Sequence, residues 1–286
     1  MMKSSRPTGV SRRDFLAAAI ATGFAIAVRP VTAGTVVLTD TSGIVADAVR
    51  IPAEGVMLPA YMAHPEQGGQ WPLILVVQEI FGVHEHIKDV CRRLAKLGYL
   101  AIAPELFFRQ GDVSRLKDSN EIISTVVSKV PDAQVMADLD AVVAWAEHTG
   151  MVQAGKVGIA GFCWGGRITW LYAAHSARVK AGVAWYGRLE GASNPLQPVH
   201  PLAMASQLQA PVLGLYGGAD AGIPVESVEK MRAALAAHGN GSEIVLYPDA
   251  PHAFFADYRP SYRKEAAEDG WRRLQAWFAV HGLPPG

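Results

Sequence analysis

The 286-residue sequence is poor in charge, in cysteine and in long apolar runs. It contains 26 Lys and Arg against 26 Asp and Glu, with 18% charged and 50% hydrophobic residues. A disordered or nucleic-acid-coating protein needs a higher net charge or a lower hydrophobicity, so both classes are excluded. Only Cys91 and Cys163 are present, which excludes a disulfide-stapled scaffold. The composition is that of a globular chain long enough to bury a large core.

The first 33 residues have the pattern of an export signal. Arg12 and Arg13 precede an uncharged run of 14 residues, and small residues follow up to Ala33. The run is shorter than the roughly 20 apolar residues of a membrane span. The Ser-Arg-Arg-x-Phe-Leu motif resembles the twin-arginine signal, which directs folded proteins across the bacterial inner membrane. We expect a signal peptide at residues 1–33, recognised by the twin-arginine export machinery, and a periplasmic or secreted protein. The alternatives are an uncleaved membrane anchor or a disordered tail.

Cleavage would leave residues 34–286, which we expect to form one domain. Removal of five basic residues and one acidic residue leaves 21 basic and 25 acidic residues, a net charge of −4. This balance gives no reason to expect a nucleic-acid partner or stable membrane insertion after cleavage. No repeat or low-complexity segment divides the chain.

Short β-rich runs alternate with amphipathic helices in residues 34–286, which indicates an α/β fold with a mostly parallel, doubly wound sheet. Residues 44–51 and 56–63 flank a turn that contains proline and glycine, and they predict an antiparallel hairpin at the N-terminal edge of the sheet. Further strands are predicted at residues 73–77, 99–103, 157–160, 181–185, 212–216 and 243–247. Helices are predicted at residues 87–97, 133–147, 225–237 and 261–280 and from residue 164. Residues 104–120 and 187–210 are rich in glycine and proline and are expected to be loops over the active face.

A cysteine lies at the centre of a Gly-x-Cys-x-Gly motif, between a predicted strand and a predicted helix. The pattern is that of a nucleophile elbow with sulfur in place of oxygen. Gly161 and Gly165 would let the two backbones pass closely and leave the Cys163 side chain above the sheet. The alternative is that Cys163 is a small buried hydrophobic residue in a glycine-rich turn.

An aspartate and a histidine follow later predicted strands, in the order nucleophile, acid, histidine. This is the chain order of the α/β-hydrolase triad. His252 is expected to take the thiol proton, and Asp220 is expected to hold the imidazole in the required tautomer. Asp249 is the alternative acid, but its position three residues before His252 favours a turn.

The segment after the first parallel strand is expected to complete an oxyanion hole. In this fold it supplies one backbone N–H and the residue after the nucleophile supplies the other, so the amides of Ile80 and Trp164 should converge. Glu79, beside Ile80, would be functional only with a partner at the site.

Four motifs together resemble the dienelactone hydrolase family (carboxymethylenebutenolidases). They lie at residues 78–82, 161–166, 218–220 and 251–254, and the resemblance runs across residues 45–280. It implies an α/β-hydrolase fold, a Cys-Asp-His triad, and no cofactor or metal. The implied reaction is the opening of small lactones or the cleavage of small esters through an acyl-enzyme.

The resemblance also implies roles for two charged residues. In the family a glutamate at the position of Glu79 engages the resting thiol and helps to deprotonate it. Arg109 stands where the first of two substrate-binding arginines is expected. The second would stand where this chain has Ala256, and the nearest candidate is Arg259. A small ester or lactone is therefore indicated more strongly than dienelactone itself.

Three functions stay open at this point: a lactone or small-ester hydrolase, a broader carboxylesterase or thioesterase on the same residues, and a non-catalytic binding or redox-sensing protein.

A metal site at His84 and His86 is disfavoured because the two are not spaced i, i+4 on a helix. Cys91 is expected in the core, and a disulfide to Cys163 would abolish the nucleophile. Pocket or packing roles are open for Trp164, Phe107, Phe108, Trp185, Tyr186 and Phe254.

Overall fold

A single eight-stranded sheet organises the chain. The computed structural model describes residues 36–116 and 118–286, so the predicted signal at residues 1–33 lies outside the described residues. The strand order is β1-β2-β4-β3-β5-β6-β7-β8. The strands are β1 (Ile44–Ala53), β2 (Val56–Pro65), β3 (Trp71–Val77), β4 (Leu100–Pro104), β5 (Val152–Phe162), β6 (Val179–Trp185), β7 (Val212–Gly217) and β8 (Glu243–Tyr247).

The first two strands form the predicted antiparallel hairpin at one edge. β1 pairs with β2 along its whole length, and β2 pairs antiparallel with β4. All remaining pairs are parallel. Because parallel strands end at the same edge, β3 and β5 to β8 deliver the residues that follow them to one side of the molecule.

Helices cover both faces of the sheet. Along β3, Ile74 and Val76 pack in one apolar cluster with Ile87, whereas Leu73 and Leu75 belong to a second cluster on the opposite face. This alternation is the period of a strand buried on both sides. No described helix is both long enough and apolar enough to cross a membrane. The helices are α1 (Glu85–Lys96), α2 (Ser119–Thr125), α3 (Asp132–His148), α4 (Trp164–His175), α5 (Val225–His238) and α6 (Lys264–Val280).

Several element bounds differ from the sequence predictions, and the segment at 187–210 also holds a 3₁₀ helix (Pro201–Gln207). The segment at 104–120 holds a 3₁₀ turn and the start of α2, a short helix whose N-terminal amides are capped by the Asp118 carboxylate. β5 begins earlier than residue 157 because its first residues pair at the edge of β3. α6 begins at Lys264 rather than at residue 261. Periodicity could not place the start of α2, which depends on capping by Asp118, or the start of β5, which depends on pairing with β3.

Candidate active site

The cysteine predicted as nucleophile occupies a sharp turn between β5 and α4. Its backbone has φ 57° and ψ −111°, a conformation that L-residues rarely adopt and that marks local strain. A Cβ on Gly161 would lie 2.1 Å from the Gly165 carbonyl oxygen, so only glycine fits there. The Cys163 amide donates a 3.0 Å hydrogen bond to the carbonyl of Trp185, which ties the turn to β6.

The Cys163 side chain lines a cavity of about 640 Å³. A volume of this size is typical of small-molecule sites. Two residues predicted at the oxyanion hole, Ile80 and Trp164, line it as well. Cys163 and Cys91 are both free thiols, so no disulfide blocks the nucleophile. Most of the other lining residues come from loops and helix ends above the sheet: Ile123, Val127, Tyr186, Arg188, Leu189, His200, Ile223 and Lys230.

The predicted acid and histidine meet at the ends of β7 and β8. His252 Nδ1–H donates to Asp220 Oδ2 over 2.6 Å, and both residues are buried. The other carboxylate oxygen, Oδ1, accepts from the amides of Gly222 at 2.8 Å and Ile223 at 3.2 Å. Asp249, the alternative acid, is exposed in the turn before the histidine. The acid aligned with His252 is therefore Asp220.

The imidazole also interacts with the cysteine. Burial disfavours a charge on His252, but the Asp220 carboxylate and Cys163, which is also its hydrogen-bond partner, outweigh that effect and raise the pKa of the imidazole to about 10. The imidazole of His252 therefore interacts with both Asp220 and Cys163.

The expected oxyanion hole is held together by backbone contacts. The Gly165 amide donates to the Gln78 carbonyl at 3.1 Å, which fixes the start of α4 against the segment that follows β3. Among the described residues, no backbone carbonyl accepts from the amide of Ile80 or Trp164. Two unused N–H groups on the wall of one cavity are what a developing oxyanion requires.

Glu79 is buried in a polar cluster next to the cavity. Its Oε2 accepts from Tyr258 Oη at 2.7 Å and lies 3.5 Å from His84 Nε2. Burial disfavours the carboxylate, but Arg259 foremost, and then His84, outweigh burial and lower the pKa of Glu79 below its ordinary value. No hydrogen bond joins Glu79 to Cys163 in the described chain, so the expected contact with the resting thiol is absent from this arrangement.

Arg259, the nearest candidate for a second arginine, lies in the same cluster. The residue is 3% exposed, and its guanidinium lies 4.5 Å from the ring centre of Phe81. Its Nε and Nη1 atoms have no hydrogen-bond partner among the described residues. Arg259 is thus a buried cation near Glu79. It stands three residues after Ala256, the position at which the second arginine was expected.

Arg109 does not reach the cavity. Its Nη1 donates to Asp138 Oδ2 at 2.6 Å and its Nη2 donates to the Ala53 carbonyl at 3.0 Å. Arg188, which follows β6, lines the cavity together with Arg167, whose guanidinium donates to both carboxylate oxygens of Asp132. Burial lowers the pKa of Arg188, whereas Cys163 and Asp220 act in the opposite direction. The sequence analysis missed Arg188, although its place after a buried parallel strand was a usable signal.

The aromatic residues divide between pocket and core. Trp164 and Tyr186 line the cavity. Phe108 is 44% exposed, and the others are buried without reaching the cavity: Phe107, Trp185 and Phe254. His84 and His86 contact acidic side chains, Glu79 and Asp257, and the described residues contain no cluster with the ligands of a metal site.

A mostly parallel sheet with a strained cysteine after β5, an aspartate after β7 and a histidine after β8 defines an α/β hydrolase. Comparison with known proteins narrows the class. The family model of the dienelactone hydrolase family matches residues 58–282, and the chain belongs to this family.

Relatives agree with this assignment along nearly the whole chain. A protein of Methylorubrum extorquens named "Putative carboxymethylenebutenolidase" is 62% identical over 276 residues, covering 96% of this chain and 95% of the relative. A protein of the same name from Escherichia coli strain K12 is 56% identical over 261 residues, covering 91% of this chain and 96% of the relative. The crystal structure of a "Putative Dienelactone Hydrolase" from Klebsiella pneumoniae is 58% identical, with a TM-score of 0.81, and covers 82% of this chain and 98% of that one. The chain is a dienelactone hydrolase-like enzyme that acts on ester or lactone bonds.

Proposed function

We propose that the enzyme cleaves its ester or lactone through an acyl-enzyme on Cys163. His252 holds the proton that leaves the Cys163 thiol, the sulfur attacks the carbonyl carbon and forms a C–S bond, and the carbonyl oxygen takes up negative charge. The amides of Ile80 and Trp164 donate to that oxygen. The tetrahedral intermediate then collapses, the C–O bond to the leaving group breaks, and His252 gives its proton to the departing oxygen.

The second half of the reaction reverses the proton movement. Water attacks the thioester carbonyl, His252 takes a proton from the water, and the C–S bond breaks to release the carboxylic acid. Asp220 supports both halves by accepting the Nδ1–H bond and stabilising the imidazolium. The observation that carries the proposal is the strained Cys163 on the cavity wall, in contact with an imidazole that is itself fixed by Asp220.

Glu79 has a proposed role in preparing the thiol. Its carboxylate is charged, buried and held by Tyr258 beside the cavity. A rotation that releases Tyr258 would present a base to Cys163 when substrate enters. The electrostatic attraction between Glu79 and Arg259 opposes that rotation until a substrate anion competes for the guanidinium.

A small ester or lactone is the proposed substrate, and a broader carboxylesterase is the second candidate. The second candidate is favoured by the pairing of Arg109 with Asp138, because this arginine does not face the cavity. Selectivity for a substrate carboxylate would then depend on Arg188, whose side chain lines the cavity near Cys163.

Hydrolysis of dienelactone and of p-nitrophenyl acetate, measured under reducing conditions, tests the proposal. Wild type should cleave at least one substrate, and Cys163→Ala should lose the activity. A strong preference for the anionic lactone supports the family's named reaction, whereas cleavage of the neutral ester alone supports the broader esterase. Activity that survives in Cys163→Ala would contradict the mechanism.

Export through the twin-arginine machinery is a separate proposal. It rests on Arg12 and Arg13 before the uncharged run that ends at residue 28. Cell fractionation of the full chain and of the doubly substituted variant Arg12→Lys, Arg13→Lys tests it. The wild-type chain should appear in the periplasmic or secreted fraction, and the variant should stay in the cytoplasm. Equal distribution of the two chains would contradict it.

A further inference from the structure

Tyr186 occupies a strained position at the edge of the sheet where the catalytic groups meet. It is the first residue after β6, has φ 39°, and is fully buried. Its ring packs edge-on against the imidazole of His252, with ring centres 5.2 Å apart. The amide of Tyr186 donates to the Leu215 carbonyl at 2.8 Å, which anchors the residue to β7. A non-glycine residue at positive φ persists only where the surrounding structure imposes it.

The phenolic hydroxyl of Tyr186 has no hydrogen-bond partner among the described residues. A buried polar group without a partner is costly, so an unmade hydrogen bond at a cavity wall indicates a group reserved for a ligand. Other buried tyrosines show the usual situation, since Tyr99 donates to the Leu283 carbonyl at 2.9 Å and Tyr172 donates to Asp140 Oδ1 at 2.9 Å. Tyr186 itself lines the cavity that contains Cys163.

The surroundings keep the hydroxyl of Tyr186 protonated. Burial, followed by the charges of Glu79 and Cys163, raises the pKa of Tyr186 well above its ordinary value. The phenol is therefore a hydrogen-bond donor at every working pH. Tyr186 lines the same cavity as Ile80 and Trp164, so it shares the cavity wall with the two residues of the proposed oxyanion hole.

We propose that Tyr186 is a catalytic residue whose hydroxyl donates a hydrogen bond to the substrate oxygen that becomes negatively charged when Cys163 attacks. It acts beside the amides of Ile80 and Trp164 as a third donor. The phenolic proton stays on Tyr186 throughout the reaction, so the O–H bond of Tyr186 is not broken. The inference rests on the proposed acyl-enzyme function, and it gives a catalytic role to a residue for which the sequence left only pocket lining or packing open.

The variant Tyr186→Phe tests this proposal because it removes only the hydroxyl. We expect kcat for p-nitrophenyl acetate to fall about a hundredfold, as when one oxyanion donor is lost, with a much smaller change in KM. The same fold-loss is expected for an alkyl ester, because the hydroxyl assists the carbonyl oxygen and not the leaving group. Affinity for a trifluoromethyl ketone, which adds to a thiol to form a charged oxyanion, should weaken in parallel.

The thermal midpoint separates a catalytic role from a structural one. Tyr186→Phe should melt at the same temperature as wild type or higher, because the lost hydroxyl had no partner. Tyr99→Phe is the matched control. It removes a satisfied hydroxyl away from the cavity, so it should melt lower and keep kcat within about twofold of wild type.

Several results would overturn the inference. Activity of Tyr186→Phe within about threefold of wild type would show that the hydroxyl does not act in the transition state. A loss confined to the alkyl ester would place the hydroxyl at the leaving group instead. A failure to fold would show a structural role. Failure of the acyl-enzyme proposal is distinguishable from all of these, because Cys163→Ala would then remain active or wild type would cleave neither ester.

Discussion

The Gly165 amide donates a 3.1 Å hydrogen bond to the Gln78 carbonyl, and this contact joins the two halves of the proposed oxyanion hole. Gln78 belongs to the segment after β3, and Gly165 belongs to the first turn of α4. Trp164 directly precedes Gly165 and Ile80 lies two residues after Gln78, so the bond constrains the distance between their amides. Close approach of the backbones is possible only because Gly165 has no side chain.

Gly165→Ala should damage both the fold and the reaction. A Cβ there would lie 2.3 Å from the Val77 carbonyl oxygen and 2.6 Å from the Gln78 carbonyl oxygen, so the backbones must separate. We expect a loss of about 2–3 kcal/mol in the free energy of unfolding, as for overpacking, and a fall in kcat. Urea unfolding and steady-state kinetics measure the two effects.

Gly69→Ala is the control for this prediction. A Cβ on Gly69 would meet nothing within 4 Å, so its stability and activity should match wild type. Wild-type stability in Gly165→Ala would contradict the close-approach argument.

Asp220→Asn should inactivate the enzyme with little change in the fold. The amide oxygen of asparagine can still accept from the Gly222 amide, whereas the charge that stabilises the imidazolium is lost. By analogy with the serine-protease triad, kcat should fall about 10⁴-fold. Asp249→Asn, in the exposed turn before His252, is the control and should keep wild-type kcat. Equal losses in the two variants would mean that Asp220 is not the orienting acid.

The raised pKa of His252 predicts how activity and stability change with pH. The folded-state pKa is about 10, above the ordinary value of 6.5, so stabilisation by the imidazolium is complete below pH 6.5 and is lost as pH rises towards 10. Between pH 6.5 and 9.5, wild type should lose more free energy of unfolding than His252→Gln does. The activity should fall at high pH with an apparent pKa near 10, because the leaving group then lacks its proton donor. A fall in activity on the alkaline side of the pH profile with an apparent pKa near 6.5 would contradict the raised pKa of His252.

Substitution of Arg188 should change substrate selectivity, whereas substitution of Arg109 should change the stability of the fold. Arg188→Gln should lower kcat/KM for a carboxylate-bearing ester relative to its neutral analogue, by about tenfold or more. Arg109→Gln should leave that ratio unchanged and lower the free energy of unfolding by about 3 kcal/mol, because the buried Asp138 carboxylate loses its partner. Kinetics with the paired esters and urea unfolding of both variants measure these effects. A changed ratio in Arg109→Gln would show that this arginine reaches the substrate.

The sequence predicted the fold class and the elements that carry Cys163, Asp220 and His252, because both depend on local patterns. The glycine spacing around Cys163 indicated the elbow, and the buried runs before Asp220 and His252 indicated the strands that deliver them. The short helix α2 was not predicted because seven residues give too little periodicity and its start depends on one capping side chain, Asp118.

Residues defined by three-dimensional contacts could not be predicted in the same way. The pairing of Arg109 with Asp138 joins a loop to the middle of α3, and no local pattern specifies it. The Tyr258–Glu79 hydrogen bond spans 179 positions of the chain. Tyr186 and Arg188 lie near Cys163 and Asp220 because β6 is paired between β5 and β7 in the sheet. The sequence alone does not specify this strand order.

Detection of the acyl group on Cys163 tests the central claim most directly. The enzyme is mixed with excess p-nitrophenyl acetate, quenched in acid during turnover, digested and analysed by peptide mass spectrometry. The account predicts one added acetyl group on the peptide that contains Cys163, and none in Cys163→Ala. Turnover without an adduct on Cys163, or with the adduct on another residue, would contradict it.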